Sequence, residues 1–133
     1  MILVSGCLLG ICCRYDGRSK PEKRVWSLAA GEPVAPICPE QLGGLATPRP
    51  PASITGGGTG FDVIAGRARV INSLGHDVTE AFLKGAQEAW RLARILHVSR
   101  VILKSKSPSC GVTGNTGVTA AGFLLEGIDL EEL

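Results

Sequence analysis

Apolar residues along this chain follow two rhythms. Short unbroken runs occur at Met1–Val4, Pro33–Ile37 and Val101–Lys104, and each reads as a buried strand. The other rhythm steps by three and four: Val78, Phe82, Ala86, Ala89, Ala93 and Leu96 share one face of a helix predicted over 78–96. Asp77 and Glu80 are placed to open that helix as a capping box.

Weaker signals complete the layout. Lys20–Ala30 predicts a short helix, with Pro21 in its first turn and Gly31 just past its end. Phe61–Ala65 and Ala68–Ile71 predict a β-hairpin turning at Gly66. Val118–Leu125 predicts a closing helix stopped by Gly127, followed by a last strand around Ile128–Leu130. Between Pro39 and Gly60 the chain is rich in proline and glycine and predicts a long connection without regular structure, a length that marks functional or disordered loops. Strands alternating with helices predict an α/β fold: a small, open, mainly parallel sheet with flanking helices in a Rossmann-like three-layer arrangement, plus a β-hairpin insertion.

At 133 residues and 44% hydrophobic content, residues 1–133 fit a single domain with one core. The 14 basic and 12 acidic residues are scattered, and aromatic residues make up only 5%. Neither a basic stripe nor a stacking platform is present, so duplex nucleic acid is not an expected partner. No stretch approaches the roughly 20 apolar residues of a membrane span. The first apolar run breaks at Ser5-Gly6, short of the roughly 7–15 residues of a signal peptide. A cytoplasmic chain is expected, in which five cysteines stay reduced and serve metal or catalytic chemistry before disulfides.

Cys7, Cys38 and Cys110 each follow one of the three predicted strands, and the carboxyl ends of parallel strands line the ligand crevice of an open sheet. Three gathered thiols suit a metal or an iron–sulfur cluster; three small buried hydrophobes are the plainer alternative. Zinc sites favour close-spaced cysteine pairs, and no Cys-x-x-Cys occurs here. Cys12 and Cys13 are open to three readings: a fourth ligand, a redox pair, or passive packing. Cys7 and Arg14 resemble a phosphatase-type loop, but six residues separate them, one too many, and Leu8 stands where the register needs the thiol. The Gly56–Gly60 run lacks the Lys-Ser/Thr of a nucleotide-binding loop. Glu40, two residues past Cys38, is in range to serve as a general base, or simply caps a turn. Ser105, Ser107 and Ser109 offer hydroxyls ahead of Cys110. Arg49, stiffened by Pro48-Arg-Pro-Pro51, offers its planar fork to a carbonyl or carboxylate, or is an ordinary surface arginine.

Taken together these motifs resemble the thiouracil-desulfidase family over nearly the full length. They are Ser5-Gly-Cys-Leu-Leu-Gly10, Arg14-Tyr-Asp-Gly17, Cys38-Pro-Glu40, Leu42-Gly-Gly44, Thr47-Pro-Arg-Pro-Pro51, Gly75-His-Asp-Val-Thr79, Lys84-Gly-Ala86, Leu103-Lys-Ser-Lys-Ser-Pro-Ser-Cys-Gly111 and Gly117-Val-Thr-Ala120. The resemblance implies a [4Fe–4S] cluster held by three cysteines, Cys7, Cys38 and Cys110, with the fourth iron taking the sulfur of a thiolated uracil or related heterocycle. It also implies that Glu40 handles protons, that Ser107 positions or protonates the substrate, and that C=S becomes C=O with release of sulfide. Arg49, Ser105 and Ser109 are the candidate substrate-binding residues. The expected partner is then a small-molecule thiolated base, with the oligomeric state open and a monomer among the options. A non-catalytic cluster or sulfur carrier is the alternative class; it would need an exposed cysteine, which only Cys12-Cys13 offer.

Overall fold

The computed structural model describes residues 1–133. Six strands form in chain order: β1 (Ile2–Ser5), β2 (Val34–Ile37), β3 (Ala52–Ile54), β4 (Val70–Asn72), β5 (Arg100–Leu103) and β6 (Asp129–Glu132). The helices are α1 (Arg24–Ala29), α2 (Pro39–Leu42), α3 (Gly60–Ile64), α4 (Thr79–Ile95) and α5 (Val118–Leu125). Four strands pair in parallel in the order β2-β1-β5-β6, while β3 and β4 make a separate antiparallel pair.

Alternation along the central strands sorts their side chains to two faces. Ile2, Val4 and Ile102 pack toward α1 through Val25 and Ala29; Leu3, Val101 and Leu103 pack toward α4 and α5 through Ala89, Ala93, Ala120 and Phe123. Both faces are covered, as a parallel sheet requires, and the three-layer α/β fold follows. A third cluster, with Val63, Val70, Phe82, Ala86 and Val118, seats the small sheet and α3 on α4 and α5. No helix is long and apolar enough to cross a membrane.

Several expectations change. The two-stranded antiparallel sheet is present, but Phe61–Ala65 is not one of its strands: Gly60–Ile64 is helical, opened by a Thr59/Asp62 capping box, and β4 pairs with Ala52–Ile54 instead. That strand, α2 and a 3-10 turn at Thr55–Gly57 occupy the stretch expected to lack structure. The first helix is shorter than Lys20–Ala30 because Lys20 and Glu22 donate their N–H groups to the carbonyls of Cys7 and Leu8, which holds that segment against the first turn. At the start of α4, Asp77 accepts the Thr79 N–H at 2.9 Å, while its other oxygen takes Arg69. The Glu80 half of the expected box is not made.

Glycines bring the site-bearing segments into place. A Cβ on Gly43 would lie 2.0 Å from the Ala81 carbonyl oxygen, and one on Gly85 would lie 1.8 Å from that of Pro39. Backbone-to-backbone approach of α2 and α4 is therefore possible only with hydrogen at both positions, and it fixes the helix that follows Cys38. In the same way a Cβ on Gly117 would meet the Ser109 carbonyl carbon at 2.4 Å, so the start of α5 packs directly on the Cys110 loop.

Candidate active site

The chain runs from β1 to β2 on one side and returns to β5 on the other, so the crevice of the sheet opens at the carboxyl end of β1. Cys7 sits in the 3-10 turn Gly6–Leu9 directly after β1, Cys38 joins β2 to α2, and Cys110 lies in the loop after β5. All three line one cavity of about 360 Å³, and Glu40, Arg49, Ser105, Ser107 and Ser109 line it too. The structure thus brings together the strand-end cysteines, the carboxylate, the arginine and the serines singled out from the motifs.

Glu40 is clamped from two sides. Arg49 donates Nε–H to its Oε1 at 2.9 Å, and Ser109 donates its hydroxyl to Oε2 at 2.9 Å. The Arg49 fork is otherwise spent on the carbonyls of Ala46 and Cys13 and on the Thr47 hydroxyl, which leaves a single N–H uncommitted. Arg49 is therefore chiefly a brace for Glu40, and only that one N–H remains for a ligand. With side chains 6% and 14% exposed, the Arg49–Glu40 pair is mostly withdrawn from water.

The serines form a directed chain. Ser107 Oγ accepts the N–H groups of Ser109 and Cys110 at 3.2 and 3.1 Å, which fills both of its acceptor positions. Its hydrogen can only be donated, and Ser109 Oγ lies 3.0 Å away. The order of donation is Ser107 to Ser109 to Glu40. Ser105 instead accepts Lys104 Nζ at 3.0 Å through its hydroxyl.

Thiol environments differ. Burial pushes the Cys110 thiol up to about 12, against the pull of the Ser5 and Ser109 hydroxyls. Cys38 is raised by its thiol neighbour Cys13 and by burial, while the Gln41 N–H acts the other way. Cys7 alone is lowered, through hydrogen bonding with Cys13. No three of the His, Cys, Asp and Glu side chains converge closely enough to hold a single metal ion. Three thiols spread around a cavity of this size fit a polynuclear cluster, whose ligated irons stand apart, better than one ion.

Sequence reading passed over part of the lining. Cys12 is exposed and outside the cavity, but Cys13 is buried and lines it, so the adjacent cysteines do not act as a pair. Arg14, Lys20, Lys104 and Lys106 make the mouth cationic, and burial together with Arg14 and Lys20 depresses the Lys104 ammonium. Glu132, on the edge strand β6, accepts the Val112 and Thr113 N–H groups at 2.6 and 3.1 Å and ties down the segment that follows Cys110. Leu8 is buried in the core, which removes it from any anion-cradling loop.

Comparison with known proteins bears on the chain as a whole. The profile of the 2-thiouracil desulfurase family matches residues 2–130. The chain is 44% identical over 134 residues to the uncharacterized protein YbbK of Bacillus subtilis (strain 168), covering 91% of this chain and 87% of that protein. Among solved structures it is similar to the [4Fe-4S]-dependent thiouracil desulfidase TudS, with a TM-score of 0.80 and 35% identity over 98% of this chain and 89% of that one.

Proposed function

We propose, for a chain that belongs to the 2-thiouracil desulfurase family, a division of labour around the cavity in which Glu40 handles protons and Ser107 positions or protonates the substrate. The reaction is an iron–sulfur-dependent desulfidation: the thiocarbonyl of a thiolated uracil or related heterocycle reacts with one water, giving the carbonyl and hydrogen sulfide. Cys7, Cys38 and Cys110 are the residues that hold the [4Fe–4S] group, which when bound supplies a thiophilic iron with an open position for the substrate sulfur.

The remaining work falls to the chain itself. Clamped by Arg49 and Ser109, the Glu40 carboxylate is fixed in direction and accepts a proton from the water that adds to the thiocarbonyl carbon. Ser107, able only to donate, turns its hydrogen to the heterocycle or to Ser109, whose own hydroxyl donates to Glu40. The uncommitted N–H of Arg49 and the hydroxyl of Ser105 complete the polar lining for the substrate. Lys20, Lys104 and Lys106 offset negative charge at the mouth, including that of departing hydrosulfide. The need for reduced thiols supports a cytoplasmic setting.

The observation that carries this reading is the convergence of three strand-end cysteines and a doubly braced carboxylate on one cavity. Purified and reconstituted without air, the protein should carry about four iron and four acid-labile sulfide per chain and release sulfide from 2-thiouracil. Glu40→Gln should keep the cluster spectrum and lose roughly 10²–10⁴-fold in turnover. Zinc, or no metal, after reconstitution would sink the desulfidase reading. A Glu40→Gln protein working at the wild-type rate would remove Glu40 from proton handling.

A further inference from the structure

In the reading above, Glu40, Arg49, Ser105 and Ser107 all serve the edge of a bound ring, where its N–H groups, carbonyl and thiocarbonyl lie. Edge contacts of this kind suit an open-chain thiourea as well as a flat heterocycle. Telling the two apart takes a partner for the face of the ring, and aromatic side chains are the ones that stack. This chain has few: two tryptophans, three phenylalanines and a single tyrosine. Phe82 and Phe123 are buried in the core, and Trp90 lies against Gly122, where a Cβ would meet its indole at 1.8 Å. Phe61 sits in α3, and Trp26 is exposed on α1. Tyr15 is the one aromatic residue that lines the cavity.

Tyr15 is held by its backbone and open at its ring. Its carbonyl accepts the Arg49 backbone N–H at 2.8 Å, and Arg49 Nη2 reaches the Cys13 carbonyl, two residues earlier, at the same distance. The turn is closed on its other side: Arg14 donates its N–H to the Arg18 carbonyl at 3.1 Å, and Gly17 donates to the Arg14 carbonyl at 2.9 Å. The segment is thus docked on the Pro48-Arg-Pro-Pro51 stretch whose arginine braces Glu40. Tyr15 is nevertheless 42% exposed. The Arg14 guanidinium stands over the ring, 5.8 Å from its centroid, within the range of a cation–π contact. One face is thereby covered, and the exposed remainder borders the cavity. A fixed backbone with an uncovered ring surface lets a planar molecule be seated at little ordering cost.

We propose that Tyr15 is a specificity-determining residue: its ring stacks on the heterocycle and selects flat, aromatic thio-compounds over saturated or open-chain thiocarbonyls. This rests on the desulfidase reading above and deepens it by narrowing the substrate class. One platform serves one base; a run of bases would need a run of aromatic residues, and the cavity has none beyond Tyr15. Stacking also sets the plane of the ring. With the plane set, the edge groups on which Glu40 and Ser107 act are set as well.

Isothermal titration of the anaerobically reconstituted protein with uracil and with 5,6-dihydrouracil tests this, because the two share their imide edge and differ in the flatness of the ring. Wild type should bind uracil the more tightly, a comparison that needs no variant. Tyr15→Leu should weaken uracil roughly 5–100-fold and leave dihydrouracil within about twofold, while Tyr15→Phe, which keeps the ring, should retain the preference. In sulfide release from 2-thiouracil, Tyr15→Leu should raise KM by the same factor with kcat nearly unchanged, since the stack is present before and during the reaction. Equal binding of both ligands by wild type would overturn the proposal. So would equal weakening of both by Tyr15→Leu, which would make Tyr15 a plain apolar wall. A Tyr15→Phe protein as impaired as Tyr15→Leu would assign the effect to the hydroxyl and overturn it too. In each of these cases the desulfidase reading stands as long as wild type releases sulfide from 2-thiouracil; a wild type that takes up no cluster and releases none would overturn both.

Discussion

Arg49 with Glu40 and Arg69 with Asp77 are the same chemical pair in two places. Their Nε–oxygen distances are 2.9 and 2.8 Å, but the side chains are 6% and 14% exposed in the first and 50% and 43% in the second. Distance therefore says little about what each pair does. At the surface, water and salt screen the attraction and either partner can be lost cheaply. In the cavity wall, removing one partner strands the other charge where water cannot replace it. The buried pair is better understood as a means of holding one carboxylate in one direction than as a source of stability.

Breaking the buried pair should give the largest effect. Arg49→Ala should destabilise the protein by about 3 kcal/mol or more in urea unfolding, because Glu40 is left unpaired. Adding Glu40→Gln should recover part of that loss, since the stranded charge goes with it; a double mutant as unstable as Arg49→Ala alone would mean that the lost bonds to Ala46, Thr47 and Cys13 dominate. Arg49→Lys keeps the charge but not the fork. Turnover should fall roughly 100-fold with iron content unchanged, the cost of a carboxylate free to swing.

Much of this layout was legible before any coordinates. β1, β2, β5, α4 and α5 lie within a residue of their predicted bounds because each carries an unambiguous rhythm. The crevice residues were legible for a related reason: strand ends can be read from a sequence, and a parallel sheet puts those ends together. Gly60–Ile64 was not, since so short an apolar stretch satisfies strand and helix equally, and the deciding contacts are a Thr59/Asp62 cap and a close approach to Gly117. The pairing of β3 with β4 spans α3 and carries no local signal. Cys12 and Cys13 are identical as letters; only the turn after β1 decides that one faces solvent and the other faces Cys7.

Glu132 offers an intermediate case, a carboxylate spent on backbone and not on a cation. It holds the Val112 and Thr113 N–H groups and the Thr113 hydroxyl. Glu132→Gln leaves a single acceptor oxygen, so hydrogen exchange at Val112 and Thr113 should speed up while the central strands keep their protection. Equal exchange in both proteins would show that Gly117, packed on Ser109, fixes the segment without Glu132.

The exposed pair should give the smallest effect, and pH sharpens the contrast. Hydrogen bonds from Arg69 and then Thr79 hold the Asp77 carboxyl well below the usual carboxylate range. A carboxyl depressed in the folded state contributes stability above its unfolded value, about 3.9, and loses that contribution as pH falls through the folded value. The melting temperature of wild type should therefore exceed that of Asp77→Asn only slightly at neutral pH. The gap should close as the pH drops below about 4, and added salt should narrow it at neutral pH. Since the amide oxygen introduced by Asp77→Asn can still accept the Thr79 N–H, what disappears is the Arg69 attraction alone. A gap as wide as the one Arg49→Ala opens would mean that burial does not separate the two pairs.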